Sequence, residues 1–325
     1  MIDLRTEFAG LHLKNPLIVS SSGLTGSVEK NERLELAGAG AIVLKSLFEE
    51  QIMLKAEQTN EQAYIPEGGN FLTEHIHEKD LSDYLKLIQE SKKNCSIPII
   101  ASINCCTDKE WIEFVRKIEQ AGADALELNI LSIQASPYYE CGEFEKKHIS
   151  ILKNVKSKIR IPIIVKLGTH LTNPVSLINK LRTHGAEGIV LFNRLYQTDI
   201  DIKKLEYISG EVLSSPSDLT ASLRWIGISS ATVSNIDYAA SGGVHSAEAA
   251  IKSILVGASA VELCSVIYKT GSQCIRPMLK TIENWMVEKG FENISQFKGL
   301  MRAKDVNCAS MYERTQFLRY FSERE

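Results

Sequence analysis

Two short hydrophobic patterns alternate along the chain. The first reads Gly-Ala-x-Ala/Gly-apolar-x-Leu and occurs four times, at Gly38–Leu44, Gly122–Leu128, Gly185–Leu191 and Gly257–Leu263. Each copy predicts a helix that ends on a glycine in the left-handed conformation, followed almost at once by a buried strand. The second pattern is an X-Pro pair leading into an apolar run with a polar end, at Asn15–Ser20, Ile97–Ser102 and Ile161–Lys166. Proline is tolerated at the first residue of a strand because no N–H is needed there. A fourth member, Asn235–Ala240, lacks the proline. The glycine copies stand 84, 63 and 72 residues apart, and each interval holds two strand–helix units. Amphipathic stretches such as Trp111–Gln120 and Pro174–Leu181 supply helices between them.

Eight apolar strands, unbroken enough to be covered on both faces, alternate with helices and predict a closed (β/α)8 TIM barrel. A doubly wound open sheet is the alternative, but it does not explain why two kinds of strand interleave. Long segments at 46–80, after the second strand, and 194–224, after the sixth, read as inserts at strand C-termini, where barrels build their active sites. A C-terminal extension runs from Gly290 to Glu325, and the whole of 1–325 reads as one domain.

Composition narrows the class. A length of 325 residues suits one barrel with inserts, and a net charge of −3 with no basic stripe argues against a nucleic-acid binder. Seven cysteines without a C-x-x-C pair argue against a disulfide framework or a zinc ribbon. The N-terminus carries no signal-peptide pattern and no apolar run is long enough to cross a bilayer, so a cytoplasmic location is expected. His75-x-His77 has no third ligand in view, so no metal site is predicted; Cys105-Cys106 reads as inert.

The strand ends carry the chemistry. In order they are Ser20-Ser21-Ser22-Gly23, Lys45-Ser46, Asn104, Asn129, Lys166, Asn193, Ser241-Gly242-Gly243 and Cys264-Ser265. Two lysines and three amides converging on one face suit a ligand rich in carbonyls and negative charge. Gly242-Gly243 ahead of a helix, with Cys264-Ser265 after the eighth strand, matches the usual barrel phosphate site, and His245 is placed against that turn. Glu127 and Glu262 share strand parity with Asn129 and Cys264, so both are predicted to face the barrel interior as members of a buried polar network.

On these residues the chain resembles the dihydroorotate dehydrogenase family from about Leu11 to Leu300. The resemblance rests on Asn15-Pro16 with its serine turn, Leu44-Lys45-Ser46, Glu127-Leu128-Asn129, Val165-Lys166-Leu167, Ser241-Gly242-Gly243-Val244 and Gly257–Gly271. Ser46–Ile52, Leu191–Arg194 and Leu223–Ile226 are similar to a divergent, dihydroorotate dehydrogenase-like branch. The resemblance implies FMN as cofactor and oxidation of (S)-dihydroorotate to orotate, or of a related cyclic amide. It implies that Ser20, Ser21 and Ser22 border the ring, that Lys45, Ser46, Asn104, Asn129 and Lys166 contact flavin, and that Gly242, Gly243, Cys264 and Ser265 hold the phosphate. Substrate contacts would come from Lys45, Asn129, Asn193 and Arg194, with Ser132 as the catalytic base beside Lys45. A small anionic cyclic substrate, a soluble electron acceptor and a homodimer are the implied partners, with neither membrane nor nucleic acid among them.

The chain departs from the family pattern after the second strand, where the Asn-Ser-Met-Gly substrate loop is absent, and at Arg194, which stands where Ser or Thr is usual. Arginine there keeps an anionic substrate in view, since its fork suits a carboxylate. Two other classes stay open at this point, a non-redox phosphate-binding barrel and a non-catalytic flavin-binding relative.

Overall fold

The computed structural model describes residues 2–48, 69–104, 111–131, 133–303 and 312, with backbone alone for 69–78 and 111–113. Ser132, Cys105, Cys106 and the side chains of His75 and His77 lie outside the described residues. The barrel strands are β3 (Leu17–Val19), β4 (Ala41–Val43), β6 (Ile99–Asn104), β7 (Ala125–Asn129), β8 (Ile163–Leu167), β9 (Gly188–Leu191), β12 (Asp237–Ser241) and β13 (Ala260–Leu263). They run parallel in the order β4-β3-β13-β12-β9-β8-β7-β6, and β4 pairs with β6 to close the ring. The (β/α)8 barrel expected from the two alternating patterns is the architecture found. A short strand, β5 (Leu47–Phe48), adds to the end of β6.

Gly38, Gly122, Gly185 and Gly257 all adopt positive φ, between 94° and 117°. Each lets the chain leave a helix and turn into the next strand, a geometry in which a Cβ would be strained. Helices Trp111–Gln120 and Pro174–Thr183 lie where the amphipathic stretches predict them.

The inserts differ from their predicted bounds. The helix of the second unit spans Gly69–Asn94, so the last part of the predicted 46–80 insert is helical. Its apolar positions before residue 80 are too few to announce a helical period. In the other insert, β10 (Thr198–Asp201) and β11 (Glu206–Ser209) form an antiparallel hairpin, and helix Leu219–Thr232 begins inside the predicted loop.

Strand parity sorts the barrel interior into layers. Ile18, Ile100, Ala125, Ile164, Val190, Ala239 and Ala260 form one buried apolar cluster with Ala41 and Val43. An N-terminal hairpin plugs this end: β1 (Thr6–Phe8) and β2 (Leu11–Leu13) place Phe8, Ala9, Leu11 and Leu13 into the same cluster. Its turn residues Ala9 and Gly10 both have positive φ, as a two-residue hairpin of this hand requires. This hairpin escapes the sequence reading because alanine is not a turn signal, although Gly10 between two alternating triplets was available. The opposite strand faces pack Leu17, Val19, Ile99, Leu126, Leu128, Ile163, Val165, Ile189 and Val261 beneath the helices.

Candidate active site

Two residues beyond the apolar layer, the same inward positions become polar. They are Ser20, Ser102, Glu127, Lys166, Ser241 and Glu262, all buried. Lys166 lies at the centre of this layer. Its Nζ donates to Glu262 Oε2 at 2.5 Å and to Ser20 Oγ at 3.0 Å, and stands 3.9 Å from Glu127 Oε1. Ser20 Oγ in turn donates to Glu262 Oε2 at 2.8 Å. On the other side Ser102 Oγ donates to Glu127 Oε1 at 3.1 Å and shares a 2.7 Å contact with Ser46 Oγ. Tyr84, from helix Gly69–Asn94, fixes Ser102 by donating to its carbonyl at 2.9 Å.

The layer's electrostatics follow from burial. Loss of water pushes the Glu127 carboxyl up to about 8; Glu262 adds to the rise, and Lys166 opposes it. Burial acts on Glu262 in the same sense but is outweighed by Lys166, by the contact with Glu127 and by Ser20, so this carboxyl lies below its ordinary range. Burial alone would lower Lys166, but the two carboxylates overcome it and hold the lysine charged. The sequence expectation of an inward-facing network around Glu127 and Glu262 matches this arrangement.

Above the charged layer lies an amide layer at the mouth. Asn129 Nδ2 donates to Ser102 Oγ at 3.0 Å and Glu127 Oε1 at 3.2 Å, and its Oδ1 accepts from Asn193 Nδ2 at 3.0 Å. Asn129 is therefore tied into the protein by both ends of its amide. Asn104, paired in register with Asn129, keeps a buried Oδ1 that accepts from no donor among the described residues. Asn193 Oδ1 accepts from the Arg194 backbone, while Arg194 Nη1 donates to the Val212 carbonyl of the insert. Lys45 is exposed at the rim, with no side-chain hydrogen bond among the described residues.

The three serines after β3 separate in function. Ser20 belongs to the charged layer, and Ser21 Oγ bridges to Ser46 Oγ at 2.9 Å. Ser22 Oγ accepts from Leu24 N and caps the short turn Gly23–Thr25.

The glycine turn after β12 has the geometry of a cradle. Gly242 and Gly243 have φ of 88° and 73°. A Cβ on Gly242 would stand in open space, whereas one on Gly243 would lie 2.2 Å from Leu219 N. The close approach brings the start of helix Leu219–Thr232 against the turn. Ser214 joins the parts: its Oγ accepts from Gly243 N and meets His245 Nε2 at 3.1 Å, and its N donates to Ser265 Oγ at 2.9 Å. Lys269 Nζ donates to the Ser214 carbonyl at 2.9 Å. Ser214 and Lys269 were not singled out from the sequence. The Leu213-Ser214-Ser215-Pro216 run sat inside a long insert and gave no hint of returning to the strand ends.

The profile described as "Dihydroorotate dehydrogenase" matches residues 3–286. The chain belongs to the dihydroorotate dehydrogenase family. It is 26% identical over 310 residues to "Dihydroorotate dehydrogenase B (NAD(+)), catalytic subunit" of Thermoplasma volcanium, covering 92% of this chain and 99% of that one. It is 28% identical over 312 residues to the protein of the same name from Pyrococcus horikoshii, covering 91% and 97%. A relative from Aeropyrum pernix, 27% identical over 310 residues and covering 91% and 97%, carries a name that assigns it provisionally to the A (fumarate) type. The chain is thus an oxidoreductase of the dihydroorotate dehydrogenase class, whose members bind flavin and pass electrons from a small substrate to an acceptor. Among the described residues no helix is long and apolar enough to cross a membrane, and no group of three or more metal-ligating side chains occurs.

The mouth fits a flavin nucleotide on its own chemistry. Asn104 Oδ1 has no donor among the described residues, Lys166 provides a fixed cation beneath the amide layer, and the Gly242-Gly243 turn with Ser214 and Ser265 provides small polar groups for an anion. Grooves of about 790 and 490 Å³ occur at the other end of the barrel, around Asp237 and Lys298. Those two residues form an ion pair at 3.3 Å beneath the hairpin.

Proposed function

We propose that this chain binds FMN at the barrel mouth and oxidises (S)-dihydroorotate to orotate, or a related anionic cyclic amide to its unsaturated counterpart. The observation that carries the reading is the gathering at the strand C-termini of a buried lysine, an amide layer with an acceptor that has no donor among the described residues, and a glycine–serine cradle. FMN, when bound, supplies the hydride acceptor.

The residues divide the work by position. Gly242, Gly243, Cys264 and Ser265, joined by Ser214, hold the phosphate. Asn104 and Lys166 face the ring with an acceptor and a positive charge, while Ser20, Ser21 and Ser46 bound it; Ser22 contributes as the cap of its turn. Lys45, free at the rim, contacts ring and substrate. Asn129 and Asn193 form one hydrogen-bonded unit on the substrate side, and Arg194 retains guanidinium donors beyond the one given to Val212 for a substrate carboxylate. Ser132 takes the proton from one substrate carbon while hydride leaves its neighbour. A serine needs a relay for this work, because its hydroxyl is a weak base.

The names of the relatives support a soluble acceptor, reached directly or through a second subunit. A homodimer is part of the proposal. Exposed apolar side chains on the insert hairpin, Ile202, Leu205 and Tyr207, are a surface that association would cover. The test is the visible spectrum of the purified protein with FMN, followed by anaerobic (S)-dihydroorotate. A yellow protein that bleaches supports cofactor and substrate together. One that stays yellow rejects dihydroorotate and leaves a different cyclic amide to be found, and one that takes no FMN overturns the reading.

A further inference from the structure

The charged layer contains more negative charge than its lysine can balance. Glu127 and Glu262 are 0% and 3% exposed and Lys166 is 4% exposed. With all three ionised, a sealed layer would carry one uncompensated negative charge, which is costly in the absence of water. The hydrogen bonds show which carboxyl is short of donors. Glu262 Oε2 accepts from both Lys166 and Ser20, whereas Glu127 Oε2 is buried and accepts from none among the described residues. Neutrality of the sealed layer therefore leaves one proton for this pair of carboxyls, and the unpartnered Glu127 Oε2 is the atom that lacks a donor among the described residues.

We infer that Glu127 and Glu262 hold one shared proton beside Lys166, and that Glu127 couples this proton to charge arriving at the mouth. While Glu127 is neutral, Lys166 is balanced by Glu262 alone and can support a second anion. Once Glu127 ionises, the layer is negative and opposes that anion. The coupling rests on the flavin reading above: for every two electrons delivered to bound FMN, Glu127, where it starts ionised, takes one proton from solvent onto its carboxylate. The groups facing Glu127 are Lys166 and Glu262, with Cys264 beside that lysine and Glu262, Tyr84 behind Ser102 and Lys45 outside at the rim. The tyrosine and cysteine are both pushed up by burial, so neither adds charge near neutrality. Burial also pushes Glu127 to about 8, which puts its titration within an accessible range. Glu127 acts through Lys166, which makes it a positioning residue.

Two measurements test this. Carbon-13 NMR of the carboxyl groups in flavin-free protein reads the shared proton directly. Glu127 is expected to titrate well above Glu262, and in Glu262→Gln, where it becomes the sole counter-ion of Lys166, to fall below pH 7. Ordinary titration of Glu127 in the wild type overturns the shared proton. The second is the midpoint potential of the FMN-loaded protein during dithionite titration, followed from pH 6 to 10. One extra proton per two electrons adds about 30 mV per pH unit to the slope above the Glu127 titration. Glu127→Gln is expected to lose that extra slope and to be easier to reduce than wild type at pH 10. Equal slopes in both proteins overturn the coupling. A chain that takes no flavin defeats the coupling together with the flavin reading, while the carbon-13 titration still decides the proton.

Discussion

At its N-terminal end the barrel is closed by the Thr6–Leu13 hairpin over a layer of Ile, Val and Ala. Two residues further along the same strands the interior holds a lysine between two glutamates. The base is held by close packing, which tolerates changes of conditions and is indifferent to protons. The mouth is held by charge and hydrogen bonds, which respond to pH and to whatever binds. One set of strands thus provides a rigid floor and a responsive active face, because a step of two residues keeps the side chain inward while changing its depth.

The sharpest break in this contrast is Lys166→Met. Removing the cation leaves two buried carboxyls without it and is expected to cost about 3–5 kcal/mol by urea denaturation at pH 8, with loss of FMN binding. A variant as stable as wild type would mean that the lysine does not hold the layer. At the base, Leu13→Ala is expected to cost about 2–4 kcal/mol through a cavity under the floor, with FMN affinity in titration unchanged. A marked loss of affinity there would show that the two ends are not independent.

At the cradle, Gly243→Ala places a Cβ against Leu219 at positive φ, with an expected stability loss of about 1–3 kcal/mol and at least a roughly tenfold rise in FMN Kd by fluorescence quenching. The pH response should distinguish mouth from base. Glu127 is raised from its ordinary 4.5 to about 8. The folded state therefore keeps a proton that the unfolded chain has lost, and this group's contribution to stability is complete below about 4.5 and disappears as pH rises to about 8. Melting curves should show wild type losing more stability across that window than Glu127→Gln, and identical profiles would contradict a neutral Glu127. The smallest effect is expected for Asn193→Ala, which removes the 3.0 Å bond to Asn129. A stability loss of about 0.5–1.5 kcal/mol should accompany a raised KM for the cyclic amide.

Much of the barrel was readable because its signals are local. The four Gly-Ala copies announce helix-to-strand turns, and their glycines take the positive φ that such turns need. The inward set Glu127, Asn129, Lys166 and Glu262 follows from strand parity, and the burial of all four agrees. The N-terminal hairpin was missed because Ala9 occupies a turn position normally marked by Gly, Asn or Asp. Ser214 and Ser102 were missed for a different reason. A serine in a loop or strand has no pattern of its own, and each gains its role from partners tens of residues away, Ser214 from Gly243 and Ser265, Ser102 from Tyr84 and Glu127.

The amino-acid sequence by itself determined the order of the barrel's strands and helices, the inward facing of Glu127 and Glu262, and family membership. All of these depend on spacing along the chain and on the short-range geometry of glycine, proline and alternating strands. Tertiary structure alone decided that Lys166 bonds Glu262, 96 positions away, more closely than Glu127, and left the Glu127 Oε2 without a donor among the described residues. Where a buried proton resides depends on through-space distances between strands and on the exclusion of water, and neither quantity is written in the spacing of residues along one strand.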